Sequence, residues 1–297
     1  ATIVRRRFCA GRDLQAVAAR RPESLSISQA FAMGRNLKIT LQYDGAAFHG
    51  WQMQPGLPTI QGVLADTIRR VTGEKVFPQG SGRTDAGVHA LAQVASCVLE
   101  SPIPPANLVV ALNDLLPAAI RVTCIEPAAA DFHARFSARS KTYRYRVLRS
   151  AICPPHLARY VYHHPYPLDV PAMQQAAAVV LGEHDFTSFA AVDPEKVTVK
   201  AVETGTDNQV KASEREVSNR RTVTASQWEC DADEMTYTIA GNGFLHHMVR
   251  NLVGTFLLVG KGTLTAEDVS RILRLKNRSA AGATAPASGL WLLSVEY

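Results

Sequence analysis

A chain of 297 residues that is 46% hydrophobic has core enough for two ordinary domains or one large one. Its longest apolar run, Leu252 to Val259, is broken by Gly254 and Thr255 and falls far short of the roughly 18 residues that span a bilayer; five scattered cysteines (Cys9, Cys97, Cys124, Cys153, Cys230) with no CxxC pair exclude a disulfide framework and a cysteine zinc site. The net charge of +6 is uneven: residues 1–35 hold seven arginines against two acids, and the rest of the chain carries 25 basic and 24 acidic side chains, so any nucleic-acid binding by the body must come from local clusters.

These features describe a soluble protein with no membrane partner, cytoplasmic by default. The first 35 residues have weak periodicity and are set apart as a basic N-terminal arm, read as a disordered extension, an organelle transit peptide or a folded addition. The body opens with a half-buried strand over 36–43, in which Leu37, Ile39, Leu41 and Tyr43 alternate with polar residues. Asp44-Gly45 turns the chain. A helix follows, with Thr59 as N-cap, Ile60, Leu64, Ile68 and Val71 on one face, and Gly73 as its stop. A short strand is expected over Val76–Gln79, then a glycine-rich loop over Gly80–Val88, and a long strand over His89–Leu99. Pro104–Leu116 reads as a helix, Ile120–Ile125 and Lys141–Leu148 as strands, and Met173–Leu181 as an Ala-rich helix. Residues 193–219 are polar and charged, which reads as a surface insertion. Arg221–Trp228 and Glu234–Ile239 pair as a hairpin. Leu245–Val259 is helical up to Gly260 and Gly262, Thr265 caps a further helix with Asp268 near the capping-box position, and Leu290–Tyr297 closes as a strand. The element order, without a GxGxxG or Walker loop, predicts an α+β protein of two similar halves, 36–140 and 141–297.

Three segments carry chemistry. In Gly80-Ser81-Gly82-Arg83-Thr84-Asp85-Ala86-Gly87-Val88-His89-Ala90, Asp85 is the only acid between Lys75 and Leu99. Two-metal hydrolysis needs clustered carboxylates and acid–base hydrolysis needs a pair. A lone Asp beside Arg83 and His89 suits a nucleophile kept ionised by a cation, or an Asp that caps its own turn. Arg135, Arg139, Lys141, Arg144, Arg146 and Arg149 interleave with Phe136, Tyr143 and Tyr145, with no acid between them. Cations for phosphates and rings for bases are RNA-binding equipment, and the bland alternative is a strand with a solvated charged face. In the apolar helix ending near Val259, Arg250 demands an anionic partner, for which Asp85 is a candidate. The doublets His163–His164 and His246–His247 have no carboxylate or Cys at ligand spacing and read as packing or exposed polar groups, not as a metal site.

Together these segments resemble the tRNA pseudouridine synthase A family, from about Leu37 to Tyr297. The carriers are Tyr43-Asp44-Gly45 with Phe48-His49-Gly50-Trp51-Gln52, Gly82 to Ala90, Phe132-His133-Ala134-Arg135-Phe136, Tyr143-Arg144-Tyr145, Gly182 to Phe189, Met248 to Asn251, and Thr284 to Ala287 with Gly289-Leu290. The resemblance implies two ferredoxin-like (RRM-like) halves, a central mostly antiparallel sheet and a cleft between the halves. It implies isomerisation of uridine to pseudouridine in the anticodon stem-loop of tRNA by base flipping, in a homodimer, without metal or organic cofactor. Asp85 matches the family's nucleophile, Arg83 the arginine that helps displace the target base, Tyr143 the tyrosine that stacks on the uracil and can act as a base, and Arg250 the partner of the nucleophile. Leu290 falls at an apolar wall beside the uracil. Arg135, with Phe132, His133 and Phe136, falls in a stretch that contacts the RNA. The arm and the long 193–219 segment depart from the family pattern. Two other classes fit parts of the sequence: a non-catalytic RNA-binding module, and a metal-dependent nuclease, against which the shortage of carboxylates argues.

Overall fold

A computed structural model describes residues 34–191 and 218–297. The N-terminal arm, except Gly34 and Arg35, and nearly all of the 193–219 segment therefore lie outside the described residues. Among the described residues there are ten strands, β1 Arg35–Tyr43, β2 Gln79–Gly80, β3 His89–Leu99, β4 Ile120–Pro127, β5 Ser140–Leu148, β6 Tyr162–His163, β7 Gly182–Asp185, β8 Arg220–Asp231, β9 Glu234–Gly241 and β10 Leu290–Glu296. The same described residues hold five α-helices, α1 Ile60–Thr72, α2 Pro105–Leu115, α3 Val170–Val179, α4 Met248–Gly260 and α5 Ala266–Leu275.

The strands form one sheet in the order β4-β1-β3-β10-β5-β9-β8-β7, with β2 added to β3 and β6 to β5. Neighbours are antiparallel except at β3–β10 and β5–β6. The order β4-β1-β3-β2 on one side recurs as β10-β5-β9-β8 on the other. The two sets join at β3–β10, where His89 faces Trp291 and Ala90 faces Leu292. The loop that bears Asp85 leads directly into His89, so it emerges at the centre of the sheet.

Local sequence explains these elements. Leu37, Ile39 and Leu41 of β1 are fully buried, and Ile60, Leu64 and Ile68 of α1 pack in the same core. Burial of each such side chain contributes about 1.5–3 kcal/mol. Thr59 caps α1 by accepting from Gly62 N–H, and Gly73 ends it at φ +80°. Thr265 and Asp268 form the full capping box of α5. The strand expected over Val76–Gln79 shrinks to Gln79–Gly80: Pro78 has no N–H to donate to a ladder, and its carbonyl accepts from Gln61 instead. The helix expected from Leu245 begins at Met248, because His247 sits in the left-handed region at φ 59°.

α4 is buried nearly all round, including Asn251 and Thr255. Both are satisfied. Asn251 Nδ2 donates to Phe189 O at 2.7 Å, and its Oδ1 accepts from Arg278 at 2.9 Å and Thr284 at 2.7 Å. The Thr255 hydroxyl accepts from Gly282 N at 2.9 Å. These bonds fasten the 278–285 segment along α4.

Candidate active site

The 80–88 loop lies on a bed formed by residues 43–52. Trp51 N–H donates to Thr84 O, and Gly87 N–H to Phe48 O. The Tyr43 and Thr84 hydroxyls bond at 2.8 Å. Gly87 takes φ +79°, which a side chain would strain, and Gly50 takes φ +83° with Thr84 O only 2.5 Å from where a Cβ would be. These contacts present the Asp85 side chain, 17% exposed, to the first turn of α4.

Arg250 Nη1 donates to Asp85 Oδ2 at 2.8 Å. The guanidinium is itself fixed: its Nε donates to Ala285 O at 2.8 Å, and Ala285 N–H donates back to Arg250 O at 3.1 Å. The ion pair therefore joins residues 165 apart in sequence, and both side chains are mostly buried. The Arg250 partner inferred from an arginine in an apolar helix is the one observed.

Two histidines whose sequence context suggests only packing or exposed polar groups stand beside the same carboxylate. His247 Nε2 lies 3.3 Å from Asp85 Oδ2 and His246 Nε2 lies 3.7 Å from Oδ1. Their rings are 4.0 Å apart. Ligand spacing is a local test, and this carboxylate arrives from far along the chain. Burial holds His247 below the ordinary histidine value despite the pull of Asp85, so at neutral pH it is a neutral imidazole. The three side chains bring ligand-type atoms within 4.8 Å of one another. The Arg250 guanidinium already satisfies the Asp85 oxygen, and a dication at that point would sit against a fixed positive charge.

The cations near Asp85 in sequence do not all play the part expected of them. His89 is fully buried and stacks on Trp291 with ring centroids 4.4 Å apart. Burial lowers its pKa. Its Nδ1 accepts from Gly45 N–H at 3.1 Å and its Nε2 donates to Arg159 O at 2.8 Å, so its 3.2 Å approach to Asp44 is not a charged pair at neutral pH. Arg83 is exposed and donates to Gln52 Oε1 at 3.2 Å.

Tyr143 lies on β5 between Ile239 and Leu292, its ring edge-on to Phe244 at 5.0 Å. Burial pushes its hydroxyl well above the ordinary tyrosine value, and Tyr43 and the nearby Asp85 carboxylate push the same way. The Tyr143 hydroxyl therefore stays protonated at neutral pH. Tyr145, expected among the base-stacking rings, is fully buried and donates to Pro286 O at 2.7 Å; it is a core residue. Arg146, expected among the free cations, makes a two-pronged pair with Glu234 at 2.6 and 2.9 Å. Leu290 is buried in register with Tyr145, two pairs along from the Tyr143–Leu292 pair and on the same face.

The Phe132–Phe136 loop is held at Ala134, whose N–H donates to Ser96 Oγ and whose carbonyl accepts from the Tyr297 hydroxyl. Phe132 packs on Tyr297 at 4.9 Å, and His133 Nδ1 accepts from Arg135 N–H. Phe136 is 78% exposed with the Arg135 guanidinium over its ring. Of two surface hollows of about 540 and 460 Å³, around Gln54 and Phe77, the second is lined by Asp66, Arg69 and Lys75, all exposed, and neither holds a buried ionisable group.

A family model described as tRNA pseudouridine synthase matches residues 39–137 and 176–297. The chain belongs to that family. It is 48% identical over 263 residues to tRNA pseudouridine synthase A of Solibacter usitatus (strain Ellin6076), covering 89% of this chain and 100% of that protein. It is 41% identical to the protein of that name from Caldicellulosiruptor bescii, over 89% of this chain and 100% of the relative, and 43% identical to that of Limosilactobacillus fermentum, over 88% and 95%. The family's enzymes are isomerases that convert uridine to pseudouridine. Among solved structures, a chain of a Cbf5–Nop10–Gar1 complex gives a TM-score of 0.31 at 14% identity, over 95% of this chain and 55% of that one, too distant to bear on the fold. Among the described residues no helix is long and apolar enough to cross a membrane.

Proposed function

We propose that this isomerase modifies uridines on the 3′ side of the anticodon stem-loop of tRNA, at about positions 38–40, where bases can be splayed out and flipped, and that Asp85 is its nucleophile. The observation that carries the proposal is the mostly buried Asp85–Arg250 pair beside Tyr143, because a carboxylate that must attack carbon needs a fixed direction and a counter-charge. The reaction breaks the N1–C1′ bond, turns the uracil and joins C5 to C1′. The C5 proton leaves and N1 gains one, so atoms and electrons balance without an added oxidant or metal. Two routes use the same carboxylate: attack at C1′, or removal of the C2′ proton to give a glycal.

Tyr143 stacks on the extruded uracil and its protonated hydroxyl donates a hydrogen bond there. Arg83, exposed at the mouth of the loop, fills the space that the flipped base leaves. Leu290, with Leu292, backs the uracil. Arg135, Phe132, His133 and Phe136 bind the RNA, the guanidinium on phosphate and the exposed ring on a base. We divide the body into ferredoxin-like halves, 36–140 and 141–297, in favour of which the repeated strand order speaks. A cytoplasmic homodimer holding tRNA across both subunits rests on the family resemblance, and light scattering tests it.

The test is incubation with unmodified tRNA followed by mapping of carbodiimide-resistant adducts. Stops confined to the 3′ side of the anticodon stem-loop are expected. Adducts only at other positions sink the site assignment, and EDTA-sensitive strand cleavage would revive the nuclease reading.

A further inference from the structure

The loop that carries Asp85 is tied down at its near end by a lysine that the proposed chemistry does not use. Lys141 stands at the start of β5, two residues before Tyr143 and on the same face. Its Nζ donates to the Ser81 carbonyl oxygen at 2.6 Å. The backbone of Gly82 is so close that an added Cβ would lie 2.9 Å from that Nζ. From β3, Gln93 holds the same turn: its Oε1 accepts from the Ser81 hydroxyl at 2.6 Å, and its Nε2 donates to the Gly82 carbonyl at 3.0 Å. The two carbonyls just ahead of Arg83 are thus gripped by both strands that flank β10.

The ammonium occupies an unfavourable place. Burial first, then Arg135 from the preceding loop and Arg221 from β8, push it down to about 8. Its immediate compensation is the carbonyl dipole of Ser81. A lysine kept there at that cost joins the strand that bears Tyr143 to the loop that bears Asp85.

We propose that Lys141 is a positioning residue: by fixing the Ser81–Gly82 turn it sets the distance and direction between the Asp85 carboxylate and the Tyr143 ring. The proposal rests on the reading of Asp85 as nucleophile. Lys141→Met keeps the aliphatic stem and removes the donor. Its single-turnover rate on tRNA at saturating enzyme should fall about 10- to 100-fold, as for an ångström-scale misplacement of a reacting group. Its tRNA dissociation constant should change by less than about threefold, because no ground-state contact is lost. Gly82→Ala leaves the lysine in place and displaces its ammonium, so it should slow the same step, and the double variant should be little worse than the slower single one.

A wild-type rate in Lys141→Met overturns the proposal, as does a loss confined to the dissociation constant, which would make Lys141 a phosphate contact. If Lys141→Met does not fold, a full rate in Gly82→Ala overturns it. Asp85→Asn run alongside separates the two readings. Activity in that variant defeats the nucleophile assignment itself, whereas an inactive Asp85→Asn with a fully active Lys141→Met defeats only the role of Lys141.

Discussion

The loop around Asp85 and the loop from Phe132 to Phe136 both carry charged side chains in family-matching motifs, yet they are held in opposite ways. Asp85 is 17% exposed and pinned by Arg250 from α4, with the loop ends fastened by Trp51, Gln93 and Lys141. The second loop is anchored at Phe132, whose carbonyl accepts from Asn36 and whose ring packs on Tyr297, and at Ala134, and it leaves Phe136 78% exposed. The difference teaches what each loop is suited to do. Fixing a carboxylate from several distant elements costs nothing at the moment of reaction and serves chemistry, while a ring held out to solvent serves contact with a large partner.

That contrast breaks or sharpens with three substitutions. Arg250→Ala removes the counter-charge and one hydrogen bond to the nucleophile, and the single-turnover rate should drop on the order of 100-fold, as when a preorganised donor is lost; a drop under threefold would erase the distinction. Tyr143→Phe keeps the ring and removes the hydroxyl. It should cost up to about tenfold in rate, what one hydrogen bond of about 1.5 kcal/mol is worth, with affinity for tRNA unchanged, and equal turnover would strip the hydroxyl of any part in the reaction. Phe136→Ala should do the reverse, weakening binding by about 1 kcal/mol with the saturated rate intact; a rate defect would move that loop into the chemistry.

The smallest effect concerns pH and stability. His89, His164 and His247 are held below the ordinary histidine value, chiefly by burial. Below about pH 6.5 the unfolded chain takes up protons that the folded chain refuses, so their contribution is complete above that pH and drains away beneath it. The thermal midpoint should fall by a few degrees between pH 7.5 and 5.5; a flat or rising midpoint contradicts the neutral, buried assignment.

Much of the fold and part of the site were legible in the sequence. Period-two alternation found β1 and β5 because each has one buried face, and Thr59 with Gly73 marked both ends of α1. Strands of two to four residues, β2, β6 and β7, leave no alternation to read and exist only by pairing with longer neighbours. The Asp85–Arg250 pair could be anticipated because a guanidinium in an apolar helix must find an anion. His246 and His247 could not, since nothing near them in sequence indicates that a carboxylate from another loop meets them. A signal existed in Asn251 and Thr255, polar residues inside the same apolar run, whose bonds hold the segment on which Arg250 rests.

The central claim is that one carboxylate starts the reaction, and the exchange of hydrogen at uracil C5 reports on it directly. With tRNA tritiated at C5 of uridine, the wild-type chain should release tritium to water as each pseudouridine forms. Asp85→Asn, a near-isosteric change that removes the charge, should bind the same tRNA and release none above background. Release by that variant at a rate near that of the wild type would contradict the account.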